Sequence, residues 1–500
     1  MLLYLSEDMF SSELQALVKA FYPVESHLVK VEEPDKSQDY VSIQFRETEV
    51  LAEMKMGDLK AEALHPIDRA DRRACKDSVK RALYEVLSTV KKEALPWGTL
   101  TGVRPTKLVM ELAEQGLSKE EVVQNMQSRY KTSREKAELG YQVVAKENSL
   151  LKKIDYKNSY SVYIGIPFCP TTCLYCSFPS YALKNYSSYI EEYERALFRE
   201  IEYAAGCLPD RKLATIYIGG GTPTTLNARQ LEALLQKVRE CFAFQHVEEF
   251  TVEAGRPDSI TMEKLEIMKQ YGVTRISINP QSMKQETLDI IGRNHSVEDV
   301  KRTFRMARKA GHDNINMDLI VGLPNETVAD VKQTLEEVME LGPDSITVHS
   351  LVLKRAAMLN MQREQYGEFS FDDVNQMIEL GYEYANKAGM KPYYMYRQKN
   401  TTGSKNSSRE NVGYAQEGKE GIYNILIMEE KHTILALGAG ATSKFVFPDG
   451  HIRRVENVKN VKEYVERIDE MIRRKKSFIE GEYHVSYGAG NPGTCNETGC

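Results

Sequence analysis

Between residues 160 and 355, short apolar or β-branched runs alternate with longer amphipathic stretches. The runs are "YSVYIGIPF", "LATIYIGGG", "EEFTVEAG", "TRISINPQ", "NINMDLIVGL" and "SITVHSLVL"; stretches such as "YIEEYERALFREIEYAA", "NARQLEALLQKVRECF" and "VEDVKRTFRMARKAG" lie between them. Strands joined by helices in this way predict successive βαβ units and one parallel sheet. Right-handed crossovers roll such a sheet into a barrel or partial barrel, here a (β/α)6 TIM-type arrangement over residues 155–355. Functional groups in that architecture gather at the C-terminal ends of the strands.

The flanks differ in pattern. Residues 1–150 predict an α/β accessory domain, with strand alternation in "DYVSIQFRETEVLAEMKM" and a long helix in "PIDRADRRACKDSVKRALYEVLSTVKK". Past the Pro/Gly-rich "LPWGTLTGVRPTKL", two helices open on the capping-box pairs Ser118–Glu121 and Thr132–Glu135. A polar linker around "KKIDYKNS" follows. Residues 356–484 predict an α+β extension over the barrel that caps substrate: helical "FDDVNQMIELGYEYANKAG", then "KPYYMYRQKN", strand-like "GIYNILIM" and "TILALGAGATSKF", and the charged helix "NVKEYVERIDEMIRRKK". The Gly-rich residues 485–500 are expected to be a flexible tail.

Five hundred residues exceed what one core accommodates, so two or three domains are expected. A net charge of −6 gives no electrostatic footprint for nucleic acid. The first residues lack a basic segment before their apolar run, and no apolar stretch is long enough to cross a bilayer, so a cytoplasmic location is expected. Thiols stay reduced there, and clustered cysteines are metal-binding or catalytic more often than disulfide-bonded.

Such a cluster exists. "CPTTCLYC" places Cys169, Cys173 and Cys176 directly after the first predicted barrel strand. A structural zinc site needs a fourth protein ligand, which is missing nearby, and a disulfide would leave one thiol over. Soft thiolates select iron–sulfur clusters, and three cysteines on a four-iron cluster leave one iron open to a substrate or cofactor. Cys75, Cys207 and Cys241 fall in helical patterns and read as small buried hydrophobes. Cys495 and Cys500, in the tail, are given no essential role.

The spacing CxxxCxxC resembles the signature of radical S-adenosylmethionine (SAM) enzymes, whose open iron is chelated by the amino and carboxylate groups of SAM. The resemblance implies a [4Fe–4S] cluster on Cys169, Cys173 and Cys176, and SAM held by "GGGTPT", with Gly220, Gly221 and Thr222 nearest its methionyl ammonium. Polar residues at the remaining strand ends then become SAM contacts. Arg293 would pair with the carboxylate. Gln281 and Asp318 would meet ribose hydroxyls, with Glu253 sharing that network. His295 and His349 are expected to be structural.

Together these features are similar to the coproporphyrinogen III oxidase-like branch, and "PWGTLTGVRPTKL" and "YYMYRQKN" bring the chain nearest its HemZ-type coproporphyrinogen dehydrogenases. In that branch a Tyr six residues before the first cysteine contacts SAM, and Tyr163 matches it. The implied reaction is oxygen-independent oxidative decarboxylation of coproporphyrinogen III propionates to vinyl groups, in porphyrin and haem biosynthesis. The implied partners are a tetrapyrrole and a reducing protein such as flavodoxin or ferredoxin, with the chain a monomer. Arg397 and Lys399, among tyrosines, are candidates for substrate carboxylates, or else the solvent face of a packed strand; Arg104 is a further candidate. Two positions depart from the oxidase proper, which carries His at Gly165 and Cys at Phe178. HemW-type haem chaperones share both departures, so haem binding without porphyrinogen turnover stays open as an alternative, as does action on intact haem.

Overall fold

The computed structural model describes residues 2–22, 27–102, 104–178, 180–352, 373–397 and 410–485. Its first strands, β1 (Leu2–Leu5), β2 (Leu28–Lys30), β3 (Tyr40–Phe45), β4 (Glu49–Met56) and β5 (Leu59–Pro66), form a sheet in the order β2-β1-β3-β4-β5. Alternation along β4 buries Val50, Ala52 and Met54 on the face that meets the helix Arg72–Lys91. Asp71 caps that helix, accepting from the amides of Arg73 and Ala74. The sequence pattern marked β3 and β4; β1, β2 and β5 are short or carry no clean alternation.

Helices Thr106–Glu114, Lys119–Tyr130 and Arg134–Leu151 follow. Ser118 and Glu121 form the expected capping box. At the next helix Ser133, and not Thr132, is the cap, accepting from the Lys136 amide at 3.2 Å, while Thr132 is buried. Adjacent hydroxyl residues leave the cap register ambiguous in sequence, and packing of Thr132 decides it.

The barrel strands are β6 (Ser159–Ile166), then, past the two-residue strands β7 (Phe168–Cys169) and β8 (Tyr181–Ala182), β9 (Lys212–Gly220), β10 (Glu249–Gly255), β11 (Arg275–Ile278), β12 (Ile315–Val321) and β13 (Ser345–Ser350). β6 and β9 to β13 are parallel neighbours, separated by helices such as Ile190–Gly206, Ala228–Cys241 and Val328–Leu341. The result is a partial (β/α)6 barrel, as the alternation predicts.

The sheet extends beyond those six strands. β14 (Lys391–Arg397) and β15 (Glu410–Ala415) add antiparallel strands outside β13. On the other flank β16 (Thr433–Leu437) runs parallel to β6, and β17 (Thr442–Val446) and β18 (Ile452–Glu456) continue antiparallel. "GIYNILIM", expected as a strand, is instead the helix Ile422–Glu429. A continuous apolar run does not separate the two periods. Here the buried Glu249 carboxylate accepts from the amides of Ile422 (2.5 Å) and Tyr423 (3.4 Å), satisfying first-turn donors that a strand would not present together. The charged segment expected as one helix is two, Val461–Glu466 and Ile468–Phe478, divided at Arg467.

Candidate functional site

Side chains alternate along a strand, so register decides which residues share the inner face. Tyr163 pairs with Tyr217, Asp318 with Thr347, His349 with Asn411, and Asn411 with Tyr396. In the buried stretches of β6, β9, β10, β12 and β13, one residue each stays partly exposed: Tyr163, Tyr217, Glu253, Asp318 and His349. Five strands thus each contribute one polar, reachable side chain to a common lumen. His349, expected to be structural, is among them, with Nε2 3.8 Å from Asp318 Oδ1.

Glu253 is the centre of this set. The Tyr217 hydroxyl donates to its Oε1, and the Gly220 amide donates to Oε2 at 3.3 Å. Burial pushes its carboxyl up to about 7, a shift the Tyr217 hydrogen bond only partly offsets. Below it the rings of Tyr163, Tyr217 and Tyr423 stack, with 6.2 Å between the first two centroids and 4.5 Å between the last two. Asp318 behaves oppositely. Burial works against its charge, yet His349, Asn316 and Thr347 together hold it below the ordinary carboxylate value.

The glycine run ends β9 and crosses the start of the cysteine loop. Gly221 and Thr222 donate their amides to the carbonyls of Ile166 (2.8 Å) and Phe168 (2.7 Å). A Cβ on Gly219 would lie 2.7 Å from Glu253 Oε2, and one on Gly221 would lie 2.5 Å from the Phe168 carbonyl. The two glycines are therefore required by close approach.

β7 and β8 close the cysteine loop by pairing Phe168 with Tyr181 and Cys169 with Ala182. Cys173 is 9% exposed, Cys169 and Cys176 are half-buried, and all three are free thiols. The Thr222 hydroxyl lies 3.6 Å from Cys169 Sγ, and burial pushes the Cys169 thiol up to about 11. Two bonds fasten the loop to the turn after the helix Gln285–Ile290: the Leu174 amide to the Ile291 carbonyl (3.1 Å) and the Thr171 hydroxyl to that of Gly292 (3.0 Å).

Arg293 is buried beside this loop. It donates to the Asn279 carbonyl and, at 3.1 Å, to the hydroxyl of Tyr175, a residue between two of the cysteines that the motif alone did not single out. Gln281 takes a left-handed φ of 69° and bridges β12 through its backbone; it lines a small cavity toward the helices Val328–Leu341 and Val374–Lys387. His295 is buried, and burial together with Arg293 lowers its imidazole to about 4.

Arg397 is turned away from the lumen. Tyr394 and Tyr396 share the inner register, whereas Arg397 donates to the Leu100 carbonyl at 2.6 Å and lies over the Trp97 ring. These contacts fasten the Trp97 loop to β14, in keeping with the alternative of a packed strand. Arg104 is likewise engaged, with the Met428 carbonyl and Glu430. Lys399, Cys495 and Cys500 lie outside the described residues. Cys75 and Cys207 are buried as expected, and Cys241 is half-buried.

Among the described residues, no three His, Cys, Asp or Glu side chains converge on a point where a single metal ion could sit. A four-iron cluster makes no such demand, because each thiolate holds its own iron. Beside the thiols are a backbone cradle that a Cβ would fill and a buried polar atom without a partner, Arg293 Nε; Gln281 Oε1, elsewhere in the barrel, is a second such atom. The residues present fit a cluster with a polar ligand beside it.

A partial parallel barrel with a three-cysteine loop, a glycine crossover and a polar lumen at one rim defines the class of radical SAM proteins, and the Radical SAM superfamily profile matches residues 163–338. The oxygen-independent coproporphyrinogen-III oxidase-like protein HemZ of Bacillus subtilis (strain 168) is 41% identical over 389 residues, 77% of each chain. The heme chaperone HemW of the same organism is 31% identical over 314 residues, 62% of this chain and 76% of that one. The solved structure of coproporphyrinogen III oxidase (HemN) from Escherichia coli shares the fold, with a TM-score of 0.50 at 22% identity over 65% of this chain and 73% of that one. The chain belongs to the radical SAM superfamily, in its coproporphyrinogen III oxidase-like branch. Its cofactors are those of the family, a [4Fe–4S] cluster and SAM. No helix among the described residues is long and apolar enough to cross a membrane.

Proposed function

We propose that this chain decarboxylates propionate side chains of coproporphyrinogen III to vinyl groups without oxygen, forming protoporphyrinogen IX. The observation that carries the reading is the likeness to HemZ across 77% of both chains, far more than the cysteine motif alone. Cys169, Cys173 and Cys176 would hold three irons, leaving the fourth for SAM. Tyr163, Gly220, Gly221, Thr222, Glu253, Gln281, Arg293 and Asp318 would line the SAM site.

When bound and reduced, the cofactor pair supplies a 5′-deoxyadenosyl radical that takes a hydrogen atom from the substrate. The protein's part is orientation and exclusion. Gly219 and Gly221 let the end of β9 pass close to the Glu253 carboxylate and the Phe168 carbonyl, which keeps that crossover narrow. Asp318, held ionised by His349 and Asn316, accepts from hydroxyls, while Glu253 near neutrality keeps a proton within reach of Tyr217. The stacked tyrosines floor the lumen and keep bulk water from the reacting carbon. Each of two propionates would then lose a hydrogen atom, carbon dioxide and one further electron, the electron passing to an external one-electron acceptor. A small reducing protein such as flavodoxin or ferredoxin would supply the electron that starts each cycle.

The likeness to HemW, with Gly165 and Phe178 at the two departing positions, favours one second reading: haem binding without turnover. Anaerobically reconstituted protein, given dithionite, SAM and coproporphyrinogen III, separates the two. Protoporphyrinogen and 5′-deoxyadenosine appearing together support the enzyme. One-to-one haem binding with no vinyl product overturns it. A Cys173→Ala variant that keeps a full cluster would overturn the ligand assignment.

A further inference from the structure

The turn after β10 carries a guanidinium that the SAM site does not use. Arg256 is 3% exposed and forks onto its near neighbour Asp258, with Nε to Oδ1 at 3.0 Å and Nη2 to Oδ2 at 2.6 Å. That bidentate pair leaves Nη1 pointing away from Asp258, into the cysteine loop. Nη1 donates to the Thr171 hydroxyl at 2.6 Å and the Thr171 carbonyl at 3.1 Å, and lies 3.9 Å from Cys173 Sγ.

The turn that carries it is itself fixed. Ser259 Oγ donates to the Arg256 carbonyl and exchanges a 2.7 Å bond with Thr224, just past the glycine crossover. Lys264 Nζ spans the carbonyls of Thr224 (2.6 Å) and Ser259 (2.9 Å). A buried cation with one carboxylate is costly unless its remaining N–H groups find acceptors, and here those acceptors all belong to the cysteine loop. The arrangement thus exchanges loop disorder for satisfied donors.

We propose that Arg256 is a positioning residue for the cysteine loop. It holds Thr171 to Cys173 in the ligand-ready conformation before iron arrives, and it donates an N–H to the Cys173 sulfur once that sulfur is a thiolate ligand. A neutral thiol is a weak acceptor, whereas a thiolate makes the contact charge-assisted. Hydrogen bonds to cluster sulfurs also set reduction potential, so this donor stabilises the reduced cluster. The inference rests on Cys173 being a cluster ligand.

The test uses the full chain with Arg256→Gln, Arg256→Lys and Asp258→Asn. In metal-free protein, iodoacetamide alkylation followed by peptide mapping reads the loop directly, with buried Cys75 and Cys207 as controls. Arg256→Gln is expected to speed alkylation of Cys173 about tenfold, as loss of a satisfied buried hydrogen bond implies, and to leave the two controls unchanged. In reconstituted protein, EPR-monitored titration is expected to give a more negative midpoint potential for Arg256→Gln. Arg256→Lys, which keeps an N–H donor, should recover part of that shift, and Asp258→Asn should fall between Gln and wild type. Unchanged Cys173 alkylation with an unchanged potential overturns the proposal. If the controls also react faster, the fold has loosened, and Thr171→Val, which removes one loop acceptor, replaces it: slow wild-type alkylation of Cys173 there overturns the clamp. A Cys173→Ala protein with a full cluster would remove the ligand reading beneath the proposal, an outcome distinct from any result at Arg256.

Discussion

Glu253→Gln isolates one charge in the lumen. The amide keeps the carboxylate's shape but has one acceptor oxygen where Glu253 uses two, so it can accept from Tyr217 or from Gly220, and it never ionises. Burial raises the folded-state value from 4.5 to about 7, so between those pH values the folded chain holds a proton the unfolded chain has released. For a group raised on folding, its contribution to stability is fully present below about 4.5 and is lost as pH rises through about 7. The ceiling on that loss is a rise of about 2.5 in pKa at about 1.36 kcal/mol each, or roughly 3.4 kcal/mol. Partial access from the lumen reduces it, and on the order of 1–2 kcal/mol is expected to be measured. The assay is anaerobic urea unfolding of the metal-free protein and its Glu253→Gln variant from pH 5 to pH 8, followed through tyrosine fluorescence. The variant should gain on the wild type steadily across that range and level off near pH 8. Parallel stability profiles would refute the assignment of a largely protonated Glu253 at the centre of the lumen.

Other substitutions test the packing that holds the site. Gly221→Ala sets a methyl against the immovable Phe168 carbonyl and should cost about 1–3 kcal/mol by urea unfolding. Gly219→Ala meets the end of the Glu253 side chain instead, so it should cost less stability and weaken SAM binding more, read by isothermal titration. Gly438 has a φ of 99° and its Cβ would lie 2.5 Å from the Gly165 carbonyl; Gly438→Ala should lower the unfolding midpoint more than either. Lys475 and Glu200 form an ion pair at 2.7 Å with both side chains 0% exposed. Lys475→Met should therefore cost about 3–5 kcal/mol, and the double variant with Glu200→Gln should recover a large part of it, in a double-mutant cycle.

The six parallel strands were legible because each is a short β-branched run set between helices of clear 3.6-residue period. Cys169, Cys173 and Cys176 were legible because their spacing is local. What escaped was set by register or by distant chain. Tyr217 looks like any strand tyrosine until β9 pairs with β6 and brings it beside Tyr163, under Glu253. His349 became a lumen residue only through its place opposite Asn411 and beside Asp318. Alternation along β14 puts Arg397 on the other face from Tyr394 and Tyr396, and its bond to the Leu100 carbonyl joins residues 297 apart in the chain. The helix Ile422–Glu429 escaped because its apolar run fits either period, and the deciding contact, Glu249, is 173 residues away in the chain. Arg256 follows "VEAG" in a turn and declares nothing until Thr171 and Cys173 are folded against it.

The place of β16 has a consequence for how the protein is made. It lies beside β6, the strand that leads into the cysteine loop, yet it is translated some 270 residues later. Until then the flank of β6 is an open edge. The Tyr193 hydroxyl, which bonds the Gly165 carbonyl at 2.5 Å and receives the Ala439 amide at 3.1 Å, has only half of its partners. Pairing at such sequence separation is slow to form. The nascent chain therefore carries its thiols on an unfinished wall, and the cluster's seat is completed only after the ribosome has passed residue 439. Delivery of iron and sulfur belongs after β16 has emerged, when the first strand and its late neighbour have closed.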